Sequence, residues 1–291
     1  MTKPVSAIIN PGSGDGEADE IATLLRERLG DAAVHLLQPG EDITARAREE
    51  VQRGAARVVA AGGDGTIAAV AHGLMHTDTV LGVVSTGTFN NIAAALEIPE
   101  EPAAAVDVAL GDTLGWITAG RVADEYFFEG AGVGLAADLF PVGEALKEGD
   151  FSELLGGAQS FMRQHAVSID CLLEPPTPGK TLRLQALLLT ISNTPTIGAR
   201  LEIAPEADIR EPWLYLTVYS HFGKLEAIAH FALLALRRKG IRQRIRRYPF
   251  SRATLRGADP LSVHADTKPV GEMAEVVVEA VPEAVRVAIP G

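Results

Sequence analysis

A run of glycines around a single acid, Gly62-Gly63-Asp64-Gly65-Thr66, follows the apolar segment Val58 to Ala61 and leads directly into Ile67-Ala68-Ala69-Val70. That order reads as a buried strand, a tight turn and a helix start, with Thr66 placed to cap the helix. Such a turn directs N–H groups outward, and with the positive end of the helix dipole they favour a phosphate, which the glycines allow close to the backbone. Asp64 does not suit a plain anion cradle. A carboxylate beside a polyphosphate repels it unless magnesium or a reorienting hydrogen bond intervenes, so this acid points to a metal–nucleotide site. Strand-to-helix turns are also glycine-rich for steric reasons alone, and that reading stays open at this point. A dinucleotide fingerprint can be forced onto Gly63-x-Gly65-x-x-Ala68, but the next apolar run, Val80 to Val84, ends in Ser85-Thr86 with no acid for a ribose. A Walker A loop needs Gly-Lys-Ser/Thr after its glycines, and none is present.

The elements that must hold this turn come in a regular order. Val5 to Ile9 reads as a first strand running into Asn10-Pro11-Gly12-Ser13-Gly14, and Asp19 to Leu29 carries apolar residues at helical spacing. Ala33 to Leu37 reads as a strand, Asp42 to Arg53 as a charged surface helix, then come the glycine strand, its helix to Met75, and a strand from Val80 to Ser85. Strands alternating with helices imply a doubly wound parallel sheet, in which ligands sit beyond the carboxyl ends of the strands. Asn10, Asp64 and Thr88 all fall there.

After Ala103 to Ala109 the character changes to mainly β, with strand-like segments at Leu114 to Ala119, Glu125 to Gly130, Ala166 to Leu173, Thr181 to Ser192 and Trp213 to Tyr219. Pro175-Pro176-Thr177-Pro178-Gly179 reads as a hairpin loop, and Ser152 to Gln164 and Lys224 to Leu236 as helical interruptions. The expected organisation is an α/β nucleotide domain over residues 1–111 and a β-rich domain over 112–291. The 291 residues are 47% hydrophobic and 22% charged, a globular balance, and the net charge of −12 argues against general nucleic-acid binding. Cys171 is the only cysteine, so no intrachain disulfide is possible, and a reducing cytoplasm is the expected setting. The first residues lack the long apolar core of a signal peptide and no apolar run is long enough to span a bilayer, so membrane contact is expected to be peripheral. Arg237, Arg238, Lys239, Arg242, Arg244, Arg246, Arg247 and Arg252 form a basic stretch with no acid before Asp259. It could lie on an anionic membrane, at about 1 kcal/mol per basic group, or be a solvated helix end.

Taken together, Asn10-Pro-Gly-Ser-Gly14, Gly62-Gly-Asp-Gly-Thr66 and Gly87-Thr-Phe-Asn-Asn-Ile-Ala93, in this order and spacing, resemble the diacylglycerol kinase catalytic-domain family of bacterial lipid kinases, sphingosine kinases and ceramide kinase. Gly130-Ala-Gly132-Val-Gly134, Ser192-Asn-Thr-Pro195 and Val285-Arg-Val-Ala-Ile-Pro290 resemble its later segments, so the likeness spans nearly the whole chain. Gly-Gly-Asp-Gly-Thr also occurs in NAD kinases; the Gly87-Thr88-x-Asn90 element separates the two. The resemblance implies a second domain built as a β-sandwich, with the last strand returning toward the first domain. It further implies ATP and Mg2+ as cofactors and a lipid alcohol as acceptor.

By this resemblance Gly62, Gly63, Gly65, Thr66 and Thr88 hold the triphosphate, Asn10 and Asn90 brace the turns, and Asp64 acts through magnesium with Asp107 in the same acidic network. The family's Asp-Gly-Glu, which supplies a base for the acceptor hydroxyl, corresponds here to Asp266-Thr267-Lys268. The glutamate has become a lysine, whose charged form has no lone pair to take a proton. Asp266 is therefore the expected catalytic base; His264, on the same face of an alternating strand, could brace it or accept the proton. Two more departures are Ile67-Ala68-Ala69, where the family has Asn-Glu after a hydrophobe, and Arg210-Glu211-Pro212 in place of an Asp-Asp-Gly linked to a structural magnesium. A frame intact but short of these polar groups also admits a non-catalytic nucleotide- or lipid-binding relative, and an NAD-kinase-like enzyme is the third reading.

Overall fold

The computed structural model describes residues 4–13, 17–134, 167–176, 179–220, 223–235 and 245–291. Chain contacts divide it into two units, 1–118 with 282–291, and 119–281.

Unit 1 follows the expected alternation. Its elements are β1 (Val5–Ile9), α1 (Glu17–Leu29), a short 3-10 turn, β2 (Val34–Leu36), α2 (Ile43–Gln52), β3 (Arg57–Gly62), α3 (Asp64–Leu74), β4 (Val80–Ser85), α4 (Asn91–Ala95) and α5 (Pro102–Leu110). The strands run parallel in the order β2, β1, β3, β4, with Ala7 beside Val34, Ile9 beside Ala61 and Gly62 beside Ser85. The far side of β4 is taken by the last strand of the chain, through Val287 beside Leu81. Strands buried on both faces read as continuous apolar runs. Ala7 to Ile9, Val58 to Ala61, and Leu81, Val83 and Val84 are fully buried, with Ile21 and Leu25 of α1 and Ile67, Val70 and Leu74 of α3 packed on them. Local capping sets the helix starts: Asp42 accepts from Ala45 N–H, and Glu101 accepts from Ala103 and Ala104 N–H ahead of Pro102.

Unit 2 is built from the end of β5 (Leu114–Val122), β6 (Glu125–Phe127), β7 (Gly130–Val133), β8 (Val167–Leu173), β9 (Lys180–Ser192), the short pair β10 (Thr196–Ile197) and β11 (Leu201–Glu202), β12 (Leu214–Ser220), α6 (Lys224–Ala235), β13 (Ile245–Phe250), β14 (Arg252–Ala265) and most of β15 (Lys268–Ala288). The strand expected over Glu125 to Gly130 is two strands separated by Phe128-Glu129, and the helix expected over Ser152 to Gln164 lies outside the described residues. β14 pairs with β8 along Ala253–Gly257 and with β7 along Val263–Ala265, while β9 pairs with the same two strands, so the sheet folds back on itself. Alternate residues of each strand enclose one apolar core: Leu189 and Ile191, Leu216 and Val218, Leu255, Leu261 and Val263, with Cys171, Phe127 and Phe250. The basic stretch, for which a solvated helix end was one of two readings, is strand from Ile245 onward. The α/β unit followed by a β-sandwich-like unit is the fold class the sequence implied.

Candidate active site

Because β1, β3 and β4 are parallel and in register, their carboxyl ends put three turns at one edge of the unit 1 sheet. Asn10 ties the first to the second: its Nδ2 donates to Thr66 Oγ1 at 2.9 Å, while its Oδ1 accepts Gly12 N–H at 3.0 Å. Ser13 ties the first to the third, with Ser13 Oγ and Thr86 Oγ1 2.8 Å apart. Thr86 N–H donates to Gly62 O at 3.0 Å, and Asp64 Oδ1 accepts Ile92 N–H at 3.0 Å. The closest approach is between glycines, since a Cβ on Gly87 would sit 2.7 Å from the Gly63 Cα and 2.9 Å from Asn90 Oδ1. Asn90 itself takes the left-handed conformation, φ 51° and ψ 44°. Gly65 is different: a Cβ there would meet nothing within 4 Å, so packing does not require a glycine. It lies in the first turn of α3. Thr88 is exposed on the neighbouring turn.

Three expectations change here. Thr66 is not the cap of α3, because the helix begins earlier, at Asp64 behind Gly63, and the threonine hydroxyl is used by Asn10. Asp64, expected at a metal, also has a structural duty at the start of α4. Asp107 sits within α5, more than half exposed, with Oδ1 2.8 Å from Arg28 Nη2 of α1. Among the described residues no group of three or more His, Cys, Asp or Glu could hold a metal ion. Magnesium can be held by one protein carboxylate with nucleotide phosphates and water completing its shell, a place Asp64 could fill; Asp107 is paired with Arg28 at the surface.

In unit 2, Asp266 occupies a two-residue turn between Ala265 and Lys268 at φ 47°. Its Oδ1 accepts the N–H groups of Glu129 and Gly130 and its Oδ2 that of Phe128, all at 3.0 Å. The Ser192-Asn-Thr-Pro195 segment meets the same place from the other side. Asn193 Nδ2 donates to Phe128 O at 2.9 Å, and Asn193 N–H donates to Glu129 O at 2.8 Å. The strand ends at Ala265, so the alternation expected to put His264 and Asp266 on one face does not extend to Asp266; His264 stays in the ladder, opposite Gly132. Lys268 is exposed. Glu129 was not singled out from the sequence. The signal available was an acid interrupting Phe127-Phe128 and the glycines that follow. Its Oε2 accepts Gly198 N–H at 3.2 Å.

Of the basic residues expected at a membrane, Arg237, Arg238 and Arg242 lie outside the described residues, and Arg246 is exposed on β13. The run without acids in sequence is not without acids in space. Arg247 donates to Ile203 O at 2.7 Å and to Glu206, and Arg252 is paired with Glu279 and Glu174. Arg210 forks onto Asp208, and although burial works to raise the Asp208 carboxyl, the Arg210 bonds bring it below its ordinary value. Burial pushes the Cys171 thiol up to about 12, which leaves it un-ionised and inert as a nucleophile. Among the described residues no helix is long and apolar enough to cross a membrane.

Comparison with known proteins bears on both units. The diacylglycerol kinase catalytic domain matches residues 4–122, and the YegS C-terminal NAD kinase beta sandwich-like domain matches residues 167–289. A protein of Chromohalobacter salexigens named probable lipid kinase YegS-like is 32% identical over 218 residues, 72% of this chain and 68% of its own. The diacylglycerol kinase of Bacillus subtilis is 29% identical over 245 residues, 81% of this chain and 79% of its own. A solved diacylglycerol kinase structure from Bacillus anthracis str. Sterne shares the fold at a TM-score of 0.73 and 16% identity, covering 99% of this chain and 97% of that one. With its glycine turns, its Asp266 turn and both family domains in sequence order, the chain belongs to the diacylglycerol kinase catalytic-domain family.

Proposed function

We propose that the protein is an ATP-dependent lipid kinase, moving the γ-phosphate of ATP to the hydroxyl of a diacylglycerol-like acceptor. The observation that carries this reading is the interlocking of the three strand-end turns of unit 1. Asn10 with Thr66, Ser13 with Thr86 and Asp64 with Ile92 fix a backbone surface at the start of α3. Such a surface binds phosphate through oriented N–H groups without reorganising. Gly62, Gly63, Gly65, Thr66, Thr88 and Asn90 line or brace it, and Asp64 is the carboxylate that would hold Mg2+. The ion would neutralise charge on the transferring phosphate. Residues 1–111 act as the nucleotide-binding part and 112–291 as the acceptor part. The exposed Arg246, with Arg237, Arg238 and Arg242, would draw the protein to the anionic surface where a lipid acceptor resides.

One observation favours a second reading, a relative that binds without transferring phosphate: Asp266 is engaged by backbone N–H groups and Lys268 stands where a glutamate is expected. Purified protein incubated with labelled ATP, Mg2+, a panel of lipid alcohols and NAD separates the readings. Label in a lipid supports the kinase, label in NAD the NAD-kinase-like alternative. ATP binding with no labelled product supports the non-catalytic one.

A further inference from the structure

The segment of unit 2 that leads from β11 to β12 carries four acids in ten residues, Glu202, Glu206, Asp208 and Glu211, the oxygen-rich composition that suits a divalent cation. The family resemblance implies a structural magnesium in this segment, at an Asp-Asp-Gly that is Arg210-Glu211-Pro212 here. The residues present do not fit one. Arg210 is always charged and has no lone pair to give a metal. The Glu211 carboxylate is already used within the segment, its Oε2 accepting Trp213 Nε1–H at 2.7 Å and the Tyr215 hydroxyl at 3.3 Å. We propose that Arg210 is the segment's built-in cation, its guanidinium bracing the acids as a bound divalent ion would, so that this part of unit 2 holds its fold without a metal. The proposal stands whether or not the protein transfers phosphate.

Asp208 is the acid that Arg210 holds. Arg210 Nε donates to Asp208 Oδ1 at 2.8 Å and lies 3.1 Å from Oδ2, Nη2 donates to Oδ2 at 2.9 Å, and the Arg210 backbone N–H donates to Oδ1 at 3.0 Å. Those contacts take up the roughly four acceptor positions a carboxylate has. Although burial works against the charge, they keep the Asp208 carboxyl below its ordinary value. An ion reaching these oxygens would have to displace a planar donor fork that matches them in geometry and charge.

The backbone around the fork is tied down by the same means, protein groups only. Ile203 and Ala204 N–H both donate to Pro195 O at 3.2 Å, Glu211 N–H donates to Asp208 O at 2.9 Å, and Ile203, Ala204, Ala207 and Ile209 are buried. A second arginine arrives from β13: Arg247 Nε donates to Ile203 O at 2.7 Å and Nη1 to Glu206 at 3.4 Å. One arginine from within the segment and one from a neighbouring strand thus balance two of its acids. Unlike an ion, neither can be removed by a chelator.

The test is amide hydrogen exchange on the full chain without nucleotide, in EDTA, in millimolar Mg2+ and in millimolar Ca2+, read only over residues 203–213 so that an ion taken up at Asp64 does not enter it. Wild type should exchange at the same rates in all of these solutions. Arg210→Ala should exchange about 3- to 10-fold faster at Glu211 and its neighbours, with or without ions, as expected for the loss of a charged fork whose two side chains are about a third exposed. A wild type that exchanges faster in EDTA and slows again in Mg2+ or Ca2+ overturns the proposal, and so does a folded Arg210→Ala that exchanges as slowly as wild type. Should Arg210→Ala fail to fold, the wild-type comparison decides by itself.

Discussion

Asp64 and Asp266 are the same residue type in the same kind of place, a turn reached from the end of a strand, and both accept backbone N–H groups. Asp64 Oδ1 takes one N–H, that of Ile92. Two further links among the unit 1 turns run through neutral groups, Asn10 to Thr66 and Ser13 to Thr86. Asp266 instead consumes the N–H groups of Phe128, Glu129 and Gly130. On the reading proposed above, phosphate binding would fall to the turns of the first unit, while the bonds of Asp266 tie three consecutive backbone N–H groups of the second.

The largest effect that would break this contrast is on stability. Asp266→Ala strands three backbone donors that are partly buried, at about 1–3 kcal/mol for each one fully shut off from water, so we expect a loss of about 3 kcal/mol in unit 2. Asp64→Ala strands the Ile92 donor and should cost about 1 kcal/mol. Denaturant unfolding of the two variants measures the difference; equal losses would mean that Asp266 is no more a latch than Asp64.

The next effect sharpens the claim that unit 1 works through its backbone. Gly87→Ala has to push the Gly63 backbone away, so it should lose about 1–2 kcal/mol of stability and ATP affinity with it. Gly65→Ala has open space around its new methyl and sits in a helix, so its stability should be unchanged or slightly raised. If phosphate approaches the start of α3, that same methyl should weaken ATP binding by about 10-fold or more, near 1.4 kcal/mol. Calorimetric titration of Gly65→Ala with Mg-ATP decides it, and an affinity equal to wild type would place the phosphate elsewhere.

What was legible in the sequence follows the same division. The parallel sheet was readable because both faces of its strands are buried, which leaves continuous apolar runs such as Val58 to Ala61 bounded by glycines. The glycine turns were readable because glycine spacing is a local signal. The second unit's devices are not local. The Glu129 backbone is held by residues more than 60 positions away, and nothing in Phe127-Phe128-Glu129-Gly130 shows that Asp266 and Asn193 hold it. The basic stretch misled for the same reason: Arg252 has no acid near it in sequence but faces Glu279 across a strand pair. His264 was placed by extending strand alternation one turn too far, past Ala265 and into a positive φ at Asp266.

The smallest effect uses pH to separate the two regions. The Asn10–Thr66 and Ser13–Thr86 links are amide and hydroxyl groups that do not titrate between pH 5 and 8. Unit 2 contains His230 on α6, buried against Tyr219 and Phe231 with ring centroids 5.6 and 5.2 Å away. Burial pushes its pKa below the ordinary value, and the charge of Arg247 pushes in the same direction. The unfolded chain then takes up a proton near pH 6.5 that the folded chain resists, so the unfolded state binds more protons over that window. Stability is accordingly full above about pH 6.5 and falls as the pH drops from there toward the folded-state value. His230→Gln removes this one contribution, so its denaturation midpoint should fall less than that of wild type between pH 7.5 and pH 5.5, whatever the other titrating groups add to both. Parallel pH profiles for the two proteins would mean that His230 is protonated as readily in the folded chain as in the unfolded one.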